Sequence, residues 1–447
     1  MKCLRTVCWA LFAGGFFLTL GAASTCWAQD GEAKIDSGAT AWLLASSALV
    51  LFMTPGLALF YAGMVRSKNI LGTMMQSIFC MGLVTIQWVL IGYSISFGAD
   101  CAGGLFGDIT TFAFLKDVSF SEPYPGTAIP HILFMTFQMM FAIITPALIT
   151  GAFAERVRFG PYVLFILLWT TLVYDPIAHW VWGGGILADA EGTWLHTLCG
   201  VGALDFAGGT VVHISSGVSA LVFCIMIGKR RGYPDQPMLP TNLVMTVLGA
   251  GILWFGWFGF NGGSGLAADG VAANAFTVTH VCAAAAAVSW AAVEWLHRGK
   301  ASILGVATGL VAGLVCITPA AGFVEVMPAL LMGLMVSPIC YIFVAMIKTR
   351  LGYDDSLDAF GVHGIGGTVG ALLTGVFLSP LLGSGTGASF AQFKAQAIAV
   401  AVTWVYAAVV TTILVLLIDK TMGIRLSEDD EQSGLDLSQH GEVGSNL

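Results

Sequence analysis

The chain has 447 residues, of which 57% are hydrophobic and only 10% charged, with 56 Gly, 29 Phe and 13 Trp. No soluble domain of ordinary size shows that balance, so the chain reads as a polytopic membrane protein. The net charge of -8 says little about partners, because much of it lies in the terminal SEDDEQSGLD, and no nucleic-acid partner is expected.

Residues 1 to 28 read as a cleaved signal peptide: Lys2 and Arg5 precede an apolar stretch from Val7 to Leu20, and small residues lead to a cut after Ala28. A retained first helix is the alternative. The leader is preferred because the stretch is short and the polar QDGEAKIDSG follows at once. Of the ten cysteines, three lie in this leader and most others fall in apolar runs, where a small buried hydrophobe is the default. Cys101 and Cys199 lie in stretches placed outside, and a disulfide between them is left open.

Backbone groups in lipid must be satisfied within their own segment, so successive apolar runs predict helices. Eleven spans follow the leader, at about 40 to 62, 70 to 97, 129 to 153, 160 to 182, 206 to 228, 238 to 262, 271 to 296, 302 to 319, 327 to 347, 359 to 379 and 393 to 418. Arg66, Lys68, Arg156, Arg158, Lys229, Arg230, Arg231, Arg298, Lys300, Lys348, Arg350, Lys420 and Arg425 all follow odd-numbered spans. Basic residues mark the cytoplasmic side, which puts the mature N-terminus outside and the tail, 421–447, inside. Eleven divides as five, five and one. Because five is odd, a second five-span unit lies upside down relative to the first, an arrangement that marks transporter and channel folds. Repeat one then covers about 40–228, repeat two about 238–379, and helix eleven about 393–418 of a membrane domain at 29–420. Span five opens LDFAGGTVVH and span ten opens LDAFGVHGIGGTV, an internal echo that chance similarity between Gly-rich helices also explains.

Eight residues at about 1.5 Å each put His213 about 12 Å deeper than Asp205, away from bulk water. A packed core histidine is the plain reading. Polar groups in a bilayer usually face a cavity or a partner, however, and His363 on span ten is a candidate partner. Two neutral imidazoles can share a hydrogen bond, each having one donor and one acceptor. Counted from the helix starts, His363 lies only about 7 Å in from the opposite face, which leaves a vertical gap between the rings. Asp205 and Asp358 both read as helix N-caps. A carboxylate near the outer mouth also favours a cation, and the two roles can coexist.

DFAGGTVVHISSG at 205 to 217, followed by IGKRRG, resembles the signature of the ammonium transporter family, and FGVHGIGGTVG at 360 to 370 resembles its second histidine segment. PGLALFYAGMVRSKN, FAERVRFG, IAHWVWGGG, GWFGFNGGS and the tail's GLDLSQHGE extend the likeness over nearly the whole mature chain. The resemblance implies an all-α polytopic protein of the bacterial cytoplasmic membrane, with eleven transmembrane helices as two inverted five-helix repeats plus one peripheral helix. It implies a homotrimer with one pore per subunit and His213 and His363 adjacent along it. Phe141, Trp182 and Ser264 take the positions of an outer ammonium site, and Phe141 and Phe260 those of a stacked phenyl gate. Trp257 lines the pore, Asp205 and Asp358 support it, and Phe137 and Gln138 precede Phe141 on span three. The acidic tail resembles a docking segment for a trimeric PII signalling protein that closes the pore when nitrogen is plentiful. No cofactor or metal is implied.

Three features depart from the pattern. The outer loop ADAEGTWLHTLCGVGA, 188 to 203, is longer than the link usual between its flanking motifs, His280 has no partner to name, and FQMMF carries two methionines between Gln138 and Phe141. A haem-bearing redox protein would use two histidines as axial ligands but needs a wider cavity. An ammonium sensor would carry an output domain, and about 29 residues after span eleven are too few for one. No P-loop, nucleophile elbow or clustered Cys/His spacing appears, so a transporter and not an enzyme is expected.

Overall fold

The computed structural model describes residues 34–444, so the expected signal peptide lies outside the described residues. Among these, ten helices are long and apolar enough to cross a membrane: α1 (Ser37–Met64), α2 (Ser67–Phe97), α3 (His131–Ala152), α4 (Phe159–Val181), α5 (Gly209–Ile227), α6 (Leu243–Gly263), α7 (Gly270–Arg298), α9 (Val326–Leu351), α10 (Phe360–Phe377) and α11 (Phe390–Met422). Between α7 and α9, the expected span 302 to 319 forms the shorter apolar helix α8 (Ile303–Ile317). Its 15 residues reach about 22 Å, short of a hydrocarbon core of about 30 Å.

Side chains set where these helices begin. Asp36, Asn242, Asp269, Ser302 and Ser389 each accept a backbone N–H from the first turn of the helix that follows, satisfying donors the helix cannot pair. The Asn242 cap starts α6 at Leu243, later than the expected 238, because Pro240 lies in the extended approach. Helix α1 runs along α6, α7 packs on α8 and α9, α5 crosses α10, and α11 lies against both. Wide π-type turns interrupt α2, α4, α5, α9 and α10. Two of them, Gly209–Ile214 and Phe360–Gly364, hold the histidines, and such bulges concentrate at functional positions.

The helix ends that carry the basic residues are tied by buried charge. Glu155, wholly buried, accepts from Arg66 Nε at 2.7 Å, and Arg230 forks onto Asp354 at 2.8 and 2.9 Å. Burial raises the Asp354 carboxyl, but the Arg230 fork and Arg156 overcome that and hold it below the usual range. The tail is folded against these ends as two short helices, Glu428–Ser433 and Leu435–His440. Glu431 takes the Arg231 N–H at 2.6 Å and pairs with Arg425 at 3.0 Å. Lys68 donates to two carbonyls of the first helix, and Asp436 accepts from Gly72 N at 2.8 Å. On the other face the 188–203 loop contains a short helix, Trp194–Cys199. Cys199 is a free thiol and forms no disulfide with Cys101.

Candidate functional site

The crossing of α5 and α10 brings His213 and His363 together: their rings lie 5.3 Å apart at 20°, with Nδ1 to Nδ1 at 3.3 Å. One Nδ1 donates and the other accepts, so the two Nε2 atoms differ, one protonated and one bare. His213 Nε2 is buried and has no partner among the described residues. The expected vertical gap is absent because α5 and α10 start inside the protein. Asp205 is 6% exposed, and its Oδ1 accepts from Gly208 and Gly209 N–H while Oδ2 accepts from Thr210 and Val211 N–H, at 2.6 to 3.1 Å. One carboxylate thus replaces the water that a buried helix start would otherwise need.

The matching cap on α10 is not the expected one. Asp358 has a φ of +61° and its side chain pairs with Lys348; the cap is Asp355, which accepts from Ala359 and Phe360 N–H at 3.0 and 2.8 Å. With its φ at +61°, Asp358 lacks the extended backbone of a capping residue, and its side chain turns to the lysine. Burial first, and then the charge of Asp358, raise the Asp355 carboxyl. The sequence held the signal: Asp205 precedes His213 by eight residues, and Asp355 precedes His363 by eight.

Aromatic rings lead from the imidazoles toward the opposite face. His213 stacks on Trp257 at 5.5 Å and Phe260 at 6.1 Å. Phe260 meets Phe141 at 4.3 Å, and Phe141 meets Trp182 edge-on at 6.0 Å. Trp257 is fixed by an Nε1–H bond to Thr318 Oγ1 at 2.9 Å, and Trp182 by one to the Asp205 carbonyl at 2.8 Å. Phe137 backs Phe141 edge-on at 4.9 Å. Ser264 donates its hydroxyl proton to the Phe260 carbonyl at 2.8 Å, which leaves that oxygen only accepting capacity.

Three spaces lie in series along this line. A cavity of about 490 Å³ on the face away from the basic helix ends is lined by Trp182, Phe141, Ser264, Gln138, Asp189 and Asp205 among others. Past the Phe141–Phe260 pair, a gap of about 10 Å³ beside both histidines is walled by Leu57, Ile144, Leu253 and Val311; that is room for one water at most, so the passage is narrow and apolar. A third cavity of about 430 Å³ begins at His363 and is lined further on by Tyr233, Lys348 and Asp358. His280, outside this line, stacks on Trp254 at 5.1 Å.

A bundle of long apolar helices enclosing two wide cavities joined by a narrow apolar gap defines a membrane protein of the transporter class. A profile of the Ammonium Transporter Family matches residues 41–445, and the chain belongs to that family, one of transporters and not of enzymes. An ammonium transporter of Aquifex aeolicus is 45% identical over 97% of this chain and 99% of its own length, and one of Bacillus subtilis is 47% identical over 91% and 98%. The crystal structure of Candida albicans Mep2 matches with a TM-score of 0.80 at 35% identity, covering 89% of this chain and 88% of that one. A solved structure described as a sensor Amt protein matches with a TM-score of 0.82 at 28% identity, covering 90% and 98%.

Proposed function

We propose that the chain carries ammonium across the membrane by holding the cation at Trp182, Phe141 and Ser264, separating it from a proton, and passing ammonia by His213 and His363. The observation that carries this is the narrow apolar gap of about 10 Å³ set between two cavities and walled by two imidazoles. Moving an intact monovalent ion into such surroundings costs on the order of 20 kcal/mol in the Born limit, whereas neutral ammonia escapes that penalty. Aromatic faces attract a small cation through their quadrupoles. The Ser264 oxygen, its own proton committed to Phe260, takes an N–H from the ion. Potassium offers no N–H and no proton to release, so this site selects against it. The phenyl pair at 4.3 Å must part for each passage. Beyond it His213 Nε2, without a partner among the described residues, takes the proton that ammonium releases; His213 passes its Nδ1 proton to His363 Nδ1, and His363 Nε2 releases one to the inner cavity while ammonia moves on. Asp205 acts through space and through Trp182, since backbone donors hold both its oxygens.

The wider reading comprises eleven spans as two inverted five-helix repeats and a peripheral helix, in a homotrimer of the bacterial cytoplasmic membrane. Its support is the pairing of α1 with α6 and of α5 with α10, together with the two aspartate caps at equal distance from their histidines. The basic residues place the tail inside and a mature N-terminus outside, after removal of a signal peptide. The test is the internal pH change of proteoliposomes given an inward ammonium gradient: a response well above that of empty liposomes is expected, and one equal to it overturns the reading. The same measurement discriminates a transporter from a sensor.

The tail serves as part of the surface for a PII-type protein that closes the inner cavity. Purified PII protein is expected to co-elute with the transporter and to lose it when residues 428 to 444 are removed. No co-elution across a range of ADP and 2-oxoglutarate concentrations would count against that partner.

A further inference from the structure

The long outer loop joins the cage residue Trp182 to the cap residue Asp205, so both its ends belong to the outer cavity. It is a folded piece. Ala203 N–H returns to the Leu187 carbonyl at 2.9 Å, Leu195 N–H to that of Ile186 at 3.0 Å, and the Thr193 hydroxyl to that of Ala188 at 2.8 Å. The neck closes where Gly202 N–H donates to Asp189 Oδ1 at 2.6 Å. A Cβ at Gly202 would lie 2.3 Å from both the Ala188 carbonyl oxygen and Asp189 Cα, so a glycine is needed for the chain to return this closely. Asp189 is exposed and lines the cavity beside Trp182, Phe141 and Ser264. Its Oδ2 accepts no hydrogen bond from the described residues. Among the described lining residues the charged groups are Asp189 and Asp205, with no Lys or Arg. Four N–H groups already occupy Asp205, which leaves Asp189 as the carboxylate whose charge faces solvent in a concave, partly enclosed mouth, where field lines focus.

We propose that Asp189 recruits the ammonium ion to the outer cavity and raises its local concentration ahead of the aromatic cage. The inference rests on the transport reading above and adds a residue to it. Asp189→Asn keeps an oxygen for the Gly202 N–H and removes the charge, which separates recruitment from loop folding. Initial flux against ammonium concentration is measured in proteoliposomes at about 10 mM and about 1 M ionic strength, where the screening length falls from about 30 Å to about 3 Å. At low salt the Asn variant is expected to need about threefold more ammonium for half-maximal flux, with maximal flux unchanged. At high salt the difference closes, and Asp189→Glu behaves as the wild type at both. Superimposable wild-type and Asn curves at low salt overturn the proposal, as does a defect that persists at 1 M or that Glu does not rescue. A wild-type protein that conducts no ammonium overturns the transport reading and this role with it.

Discussion

His213→Ala and His363→Ala are each expected to lower ammonium flux in proteoliposomes by about a hundredfold or more, the scale lost when a positioned proton-transfer group is removed. The two rings share one hydrogen bond at 3.3 Å, so either truncation leaves its partner without a relay. Residues that act as a unit are not additive. The double variant is therefore expected to be no slower than the worse single one. The readout is internal pH and current under an ammonium gradient, with protein orientation and amount matched. Wild-type flux in either single variant removes the histidines from the mechanism, and a double variant slower by the product of the two factors shows that they act independently.

Gly217→Ala is expected to disable the pore without touching any residue that meets substrate. A Cβ there would sit 2.1 Å from Gly364 N and 2.4 Å from Gly364 Cα. Those are backbone atoms in the helix turn that follows His363, and no side-chain rotation relieves the overlap. The crossing of α5 and α10 must open, and the imidazole pair opens with it. Overpacking of this kind costs about 1–3 kcal/mol. A lower melting temperature in detergent is expected, together with a flux loss of about tenfold or more. Gly251→Ala is the control, since among the described residues no atom beyond its own stretch of α6 lies within 4 Å of its Cβ position; removing a helical glycine there is expected to leave flux unchanged and stability equal or slightly higher. Equal flux and melting for Gly217→Ala and wild type would mean that the crossing is looser than the distances state.

The long apolar helices were legible in the sequence because lipid forces them to be. An apolar run flanked by basic residues has few alternatives to a helix, and the ten long apolar helices begin and end within a few residues of the expected spans, with Asn242 and Pro240 accounting for the late start of α6. The tail was read correctly as acidic but not as folded, since its contacts join Lys68, Gly72 and Arg231, residues far apart in the chain. The repeated Leu-Asp invited an alignment of Asp205 with Asp358, whereas the geometry pairs Asp205 with Asp355.

What the sequence determined by itself was local: which segments form long apolar helices, which polar side chains stand inside them, and at which helix ends the basic residues gather. Contact between the two histidines was decided only in the tertiary structure. Depth counted along a helix assumes that the helix starts at the membrane surface, and here two carboxylates satisfy the free N–H groups of helices that start deep within the protein. That substitution of a side chain for water carries each histidine farther inward than its sequence position implies, and it places the two rings within one hydrogen bond of each other.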